Sequence, residues 1–295
     1  MTFNEGMRID TSTTSSGGGR GPGRGIAVGG GLGGLLIVVV ALFLGVDPST
    51  VVPEQQMDTQ GVDAPGFDLS QCQTGADANS IVQCRVVATG NSLDGVWAEL
   101  MQGYTRPHVR LFTGGTNTGG CGYASSAVGP FYCPGDKTAY FDTDFFDTLV
   151  TEFGSSGGPL AEEYVVAHEF GHHIQNLQGV LGRAQQDPTG PTGGGVRTEL
   201  QADCYAGVWA HYASITKQEG TDVTFLKPLT DKDIADALSA ASAVGDDRIQ
   251  EAATGRVSPE SWTHGSSEQR QKWFTTGYRT GDPAKCDTFA TNNLG

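Results

Sequence analysis

His168-Glu169-Phe170-Gly171-His172 sets two imidazoles four residues apart, with a carboxylate between them. In a helix that spacing puts both rings on one face, able to aim a nitrogen each at a single metal ion. Glu169 reaches the edge of such a site without being a ligand. Two neutral imidazoles beside a carboxylate are the equipment of a zinc hydrolase, in which the metal lowers the pKa of a water to about 7 and the glutamate takes its proton. The chemistry expected is metal-assisted peptide hydrolysis. Val166, Phe170, Ile174 and Leu177 form an apolar stripe on the opposite face, so one side of this helix meets a core and the other a cleft. Pro159 suits its first turn, Glu162 and Glu163 its positive end, and Gly179 its stop.

A catalytic zinc takes three protein ligands and keeps a fourth position open. The segment from Val196 to Lys217 offers the third. Glu199 and Asp203 lie four apart, while Leu200, Cys204, Val208 and Ile215 make the apolar stripe of a second helix. Glu199 then completes a His, His, Glu set. Asp203 is placed to accept the ring N–H of a ligating histidine and fix its tautomer.

The runs VVAHEFGHHIQ, TELQADCYAGVWA, GDDRIQ and THGSSEQRQKWFTTGY, in that order, resemble the bacterial neutral zinc metallopeptidase family, a gluzincin-like group of zincins, over about residues 66 to 290. The resemblance implies an α+β zincin-like domain, mostly helical with a small sheet. It also implies His168, His172 and Glu199 as ligands of Zn2+, Glu169 as catalytic base, and Asp203 behind the ligands. One position departs from the pattern. Thermolysin-like gluzincins carry Asn just before the third ligand, and here that residue is Thr198, which puts the local support of Glu199 in question.

The other histidines read differently. His173 turns about a hundred degrees from His172 on the helix and is expected to make a local hydrogen bond. His211 lies near the second apolar stripe and reads as packed, and His108, next to Pro107, carries no pattern. His264 opens a loop leading into an amphipathic helix with Trp273 and Phe274. Zincins often set a His or Tyr opposite the metal to hold the oxyanion, so His264 is a candidate catalytic residue, with a structural loop histidine as the other reading.

Composition sets the frame. The 295 residues, 37% of them apolar, suffice for one sizeable core. A formal charge of -15 makes nucleic acid and anionic membrane surfaces poor partners for the folded part. Residues 1–25 are rich in Gly, Ser and Thr and read as a disordered cytoplasmic segment. Residues 26–46 carry no charge and would span about 31 Å as a helix, enough for a transmembrane anchor. Arg8, Arg20 and Arg24 precede that stretch and no Lys or Arg follows until Arg85. The positive-inside rule then puts the N-terminus in the cytoplasm and the domain outside, in a single-pass cell-membrane protein. A cleaved signal peptide is the competing reading, disfavoured because Val46-Asp47-Pro48 offers no small-x-small cleavage site. Gly29/Gly33 and Gly30/Gly34 match GxxxG, which can support a weak homodimer in the membrane. Residues 47–66 read as an extracellular linker and 67–295 as the metallopeptidase domain.

Six cysteines fit an exported domain. Cys72 and Cys84 are twelve apart, as are Cys121 and Cys133, with Cys204 and Cys286 remaining. Of about 15 possible connectivities, the sequential pairing is preferred because it closes two local loops and ties the C-terminal tail to the second zinc-site helix. A cysteine zinc site is the rival, but CxxC spacing is absent. Between the cysteines, Gly90 to Gly103 suggests a helix, Val109 to Thr113 and Lys137 to Asp142 strands, and Asp144 to Phe153 a short helix. The loop from Arg183 to Gly195 reads as a plain connection. The function expected is a membrane-anchored extracytoplasmic zinc metallopeptidase acting on a peptide or protein substrate. The alternative is a catalytically silent extracellular binding or scaffold domain on a zincin fold, which would have no need of Glu169.

Overall fold

Two long amphipathic helices cross at a glycine, and the rest of the domain is arranged to hold that crossing. The computed structural model describes residues 2–17 and 66–295. In chain order its elements are β1 (Thr14–Ser16), α1 (Gly75–Ser80), α2 (Val82–Leu100), β2 (His108–Phe112), β3 (Gly115–Asn117), β4 (Tyr123–Ser125), β5 (Phe131–Cys133) and β6 (Thr138–Asp142). There follow α3 (Phe145–Thr151), α4 (Pro159–Gln178), α5 (Gly194–Tyr212), α6 (Asp231–Ala243), α7 (Asp246–Thr254) and α8 (Ser267–Thr280). The α+β class, mostly helical with a small sheet, is as the sequence implies.

Helix α4 begins at Pro159 and stops at Gly179, whose left-handed φ of 71° lets its N–H turn back onto Asn176 O. Its apolar face buries Val166, Phe170 and Ile174 completely, and Phe170 reaches Gly90 on α2. Removing a ring so buried costs about 3–5 kcal/mol. The other side of α4 crosses α5 at Gly171, where a Cβ would lie 2.9 Å from Ala202 Cα. Helix α8 approaches α5 as closely: a Cβ on Gly277 would lie 1.9 Å from Cys204 O. Glycine at these two crossings is what brings three helix backbones within reach of one another's short polar side chains.

The main sheet has the order β1-β2-β6-β5, with β1, β2 and β6 parallel and β5 antiparallel on the edge next to α4. Strand β6, legible in the sequence, is buried along its length between β2 and β5. The edge strand itself is three residues long, too short for a periodic signal. Helix α2 starts eight residues before the expected Gly90, and α6 and α7 carry no expectation at all. The three disulfides follow the sequential pairing, Cys72–Cys84, Cys121–Cys133 and Cys204–Cys286.

Two expectations about the N-terminal region fail. Residues 1–25 were expected to be disordered and cytoplasmic, yet residues 2–17 pack into the domain. Phe3 and Met7 are fully buried, Asn4 N–H donates to Phe225 O, and β1 extends the sheet. Composition averaged over 25 residues conceals a strap with a few well-placed anchors. The single-pass topology is overturned with it. Among the described residues no helix is long and apolar enough to cross a membrane. The expected span 26–46 and its GxxxG pairs lie outside the described residues, as do residues 47–65. Residues 2–17 share a core with 66–295, and a Cβ on Gly66 would meet Ser16 C at 2.8 Å and Gly17 Cα at 2.9 Å. A chain so arranged cannot have its N-terminus on one side of a membrane and the domain on the other after one crossing. An uncharged stretch of sufficient length is necessary for a span but does not decide where its two ends lie.

The strap meets α4 at Glu163, a fully buried carboxyl that accepts from the Thr2 hydroxyl and whose Oε2 has no partner among the described residues. Burial raises its pKa to about 7, against the pull of Thr2 and Arg85 and with the push of Glu162 and Asp233. A carboxyl raised in the fold stabilises fully below its ordinary value of 4.5 and loses that contribution as pH climbs through about 7. Urea unfolding of Glu163→Gln should therefore lack a fall, on the order of 3 kcal/mol, that the native protein shows across this window. Because Gly17 and Gly66 touch, a chain with residues 18–65 replaced by a short Gly-Ser linker should unfold at an unchanged temperature. A large drop would show that the replaced residues hold the fold together.

Candidate active site

Tyr164, His168 and His172 succeed one another at four-residue intervals down one face of α4, and Glu199 and Asp203 do so on α5. The crossing at Gly171 turns these faces toward each other. His168 Nε2 lies 3.1 Å from Glu199 Oε2, and His172 Nε2 lies 3.5 Å from Glu199 Oε1. The ligand atoms of all three residues fall within 4.8 Å of one another, and all three residues are buried. Sequence reasoning named this set, and the fold brings it together.

Asp203 stands behind His168, its Oδ1 2.9 Å from Nδ1. The same carboxylate accepts from the Tyr164 hydroxyl and takes both Nε and Nη2 of Arg270, at 2.8 and 2.9 Å, in the two-pronged geometry that suits guanidinium. Burial would raise Asp203, but Arg270 and His168 hold it at about 2. Burial would likewise lower His168, yet Asp203 and Glu199 override it and lift its pKa to about 9. His172 differs: burial takes it down, to about 4, against the pull of Glu199. Glu199 is held well below the ordinary carboxylate range, burial being outweighed by His172 and His168.

His172 Nε2 and Glu199 Oε1 thus face one another across 3.5 Å in a buried site, beside His168 Nε2. Such an arrangement favours a cation between them. Two ring nitrogens and one carboxylate oxygen are a donor set suited to zinc.

Glu169 faces the same cleft but belongs to no ligand pair. Burial raises its pKa to about 7, with His168 and the backbone of Tyr132 on edge strand β5 pulling the other way. His264 lines that cleft with His168, Glu169, His172 and Glu199. Its Nδ1 lies 3.2 Å from Oδ1 of Asp246, whose Oδ2 accepts the backbone N–H groups of Thr263, His264 and Gly265. One fully buried carboxylate fixes both the loop and the ring. Apolar walls from Val128, Phe131, Phe145, Val165, Val244 and Ile249 enclose a cavity of about 90 Å³.

A family model described as "Putative neutral zinc metallopeptidase" matches residues 3–289. The chain belongs to that family. It is 72% identical over 295 residues to an uncharacterized protein of Mycobacterium tuberculosis and to one of Mycobacterium bovis, with the whole of each chain covered. It is also similar to the uncharacterized protein YpfJ of Escherichia coli, 36% identical over 297 residues, covering 97% of this chain and 96% of the relative. No solved structure matches it.

Within this metallopeptidase family member, His173 departs from expectation. It bonds not locally but across the fold, Nδ1 to the Tyr132 hydroxyl at 2.9 Å and Nε2 to Thr105 O at 2.7 Å, and so clamps β5 to α4. His211 packs as expected, on Tyr278 O, and His108 is exposed. The loop from Arg183 to Gly195 takes no part in lining the cleft. Sequence reasoning missed Tyr164, Asp246 and Arg270. Tyr164 was within reach, one turn before His168 on the ligand face. Arg270 and Asp246 were not, because each meets its partner only through packing between helices distant in sequence.

Elemental analysis after dialysis should find one zinc per chain, lost in His172→Ala. In Glu199→Ala binding should weaken less, since water can replace a carboxylate oxygen. A His172→Ala protein that keeps its zinc would remove the site.

Proposed function

We propose that this protein hydrolyses peptide bonds with zinc held by His168, His172 and Glu199 and with Glu169 as general base. The observation that carries the reading is the position of Glu169: a buried carboxyl in the metal cleft, outside the ligand pairs and beside edge strand β5. A merely structural metal site has no use for it, and this counts against a silent binding domain. Bound there, zinc would supply Lewis acidity, polarising a carbonyl and making water acidic enough to lose a proton near neutral pH.

The chain's own groups then do the rest. Glu169 takes a proton from water at its carboxylate and hands one to the departing amine. Asp203 holds His168 Nδ1–H, keeping Nε2 turned to the metal, while Arg270 and Tyr164 keep Asp203 ionised and in place. Asp246 accepts Nδ1–H of His264 and, against burial, raises its pKa, favouring the imidazolium whose other N–H can donate to the oxyanion in the cleft. The edge of β5 runs beside Glu169, suited to an extended peptide. The apolar walls suit an apolar side chain next to the scissile bond.

Glu169→Gln should keep zinc and fold but lose most turnover on a peptide library, because an amide cannot take the proton. His264→Ala should lose about 100- to 1000-fold, the worth of one oxyanion donor. Zinc content measured in parallel separates chemistry from binding. Full activity in the Gln variant would sink the mechanism, and a native protein that holds zinc yet cleaves nothing would favour the silent domain.

A further inference from the structure

His172 has a hydrogen-bond system of its own, distinct from the Asp203 network behind His168. Its Nδ1 lies 2.8 Å from Oε1 of Gln175, three residues further along α4. Gln175 Nε2 donates in turn to Thr198 O on α5 at 2.7 Å and to Gln201 Oε1 at 3.0 Å. Gln201 Nε2 donates to Cys286 O, beside the Cys204–Cys286 disulfide. The side chain of Thr198 takes no part in this series, its hydroxyl being turned back onto Gly194 O of its own helix.

The polarity of this series follows from its ends. An amide has one accepting atom and one donating atom, and a backbone carbonyl only accepts. Thr198 O and Cys286 O therefore require the Nε2 groups of Gln175 and Gln201 to face them. Gln175 then has only its oxygen to offer His172, and an oxygen there requires Nδ1 to carry the proton. The tautomer that results leaves the lone pair on Nε2, the atom that faces Glu199. Gln175 is 0% exposed and His172 1%, so water cannot easily substitute for either.

We infer that Gln175 is the positioning residue for the second metal-site histidine, fixing the tautomer and ring angle of His172 through an amide whose own direction is set by the carbonyl of Thr198. The inference rests on the zinc reading of His168, His172 and Glu199. Where the side chain of Thr198, the residue before the third ligand on α5, gives no support, the support comes from Gln175, one turn beyond His172 on α4. It also gives the Cys204–Cys286 bridge a place in the site, as the anchor of the last acceptor in the series.

The test measures zinc affinity by competition with a chromogenic chelator, alongside the melting temperature of the metal-free proteins. Gln175→Met removes the acceptor at similar size and should weaken zinc about 10- to 100-fold, the usual effect of losing the partner of a ligating histidine. Gln175→Glu keeps an acceptor for Nδ1–H but sets a carboxylate against Thr198 O and Gln201 Oε1. It should lower the melting temperature at least as much as Gln175→Met while holding zinc far better. A merely structural role would make affinity follow stability in both. Nitrogen NMR of the metal-free protein gives a second readout: His172 should be protonated at Nδ1 in the native chain and lose that preference in Gln175→Met.

Undiminished affinity in Gln175→Met, affinity and melting temperature falling in step in both variants, or a native His172 protonated at Nε2 would each overturn the inference. A native protein that takes up no zinc would instead remove the metal site on which it rests, a result distinguishable because the NMR signature does not depend on metal.

Discussion

Everything at the cleft depends on burying one ion pair, Asp203 with Arg270. Neither partner has appreciable contact with solvent, and the cost of taking two charges out of water is recovered only when each is fully hydrogen-bonded. Here both conditions hold: the carboxylate accepts from Arg270, Tyr164 and His168, and the remaining guanidinium nitrogen donates to Val244 O. Removing one partner from such a pair costs about 3–5 kcal/mol. The pair also fixes distances. It ties α8 to α5 and, through Tyr164 and His168, to α4, so the helix that supplies the metal-site histidines cannot shift without stranding a charge.

The same economy of parts recurs around the site. Polar groups that face the cleft are backed by groups with further hydrogen bonds of their own. Asp246 orients His264 while gathering three backbone N–H groups of its loop. Tyr132 sets its backbone beside Glu169 while its hydroxyl is locked by His173 and Asn176. Functional side chains thereby sit on rigid supports, the condition under which small distances can be kept in a low-dielectric site.

Helices supply the direction of the side chains, but glycines set their separation. Gly171 and Gly277 carry no Cβ at the points where α4 meets α5 and α5 meets α8. Any larger residue would push the backbones apart and lengthen the contacts between short side chains such as Asp203 and Glu199. The N-terminal strap works from the opposite side, with Phe3 and Met7 filling core space beneath α1 and the start of α4.

The sequence by itself determined what is local. Four-residue spacing on a helix placed His168 with His172 and Glu199 with Asp203, because helical geometry fixes which residues share a face whatever lies around them. Pro159 and Gly179 bounded the first zinc-site helix for similarly local reasons, whereas the cysteine spacings favoured the sequential disulfide pairing and the structure decided it. Only the tertiary structure decided what depends on encounters between distant segments. Arg270 reaches Asp203, Asp246 reaches His264 and His173 reaches Thr105 across separations of 67, 18 and 68 residues, and no periodicity records such a meeting. The strap of residues 2–17 went unread because a few anchoring side chains stabilise it against a core formed elsewhere in the chain. Residues 26–46 read as a membrane crossing from their uncharged length and the arginines before them, but the sidedness of a segment is set by where its flanks are bound. Those flanks, Gly17 and Gly66, meet on one domain.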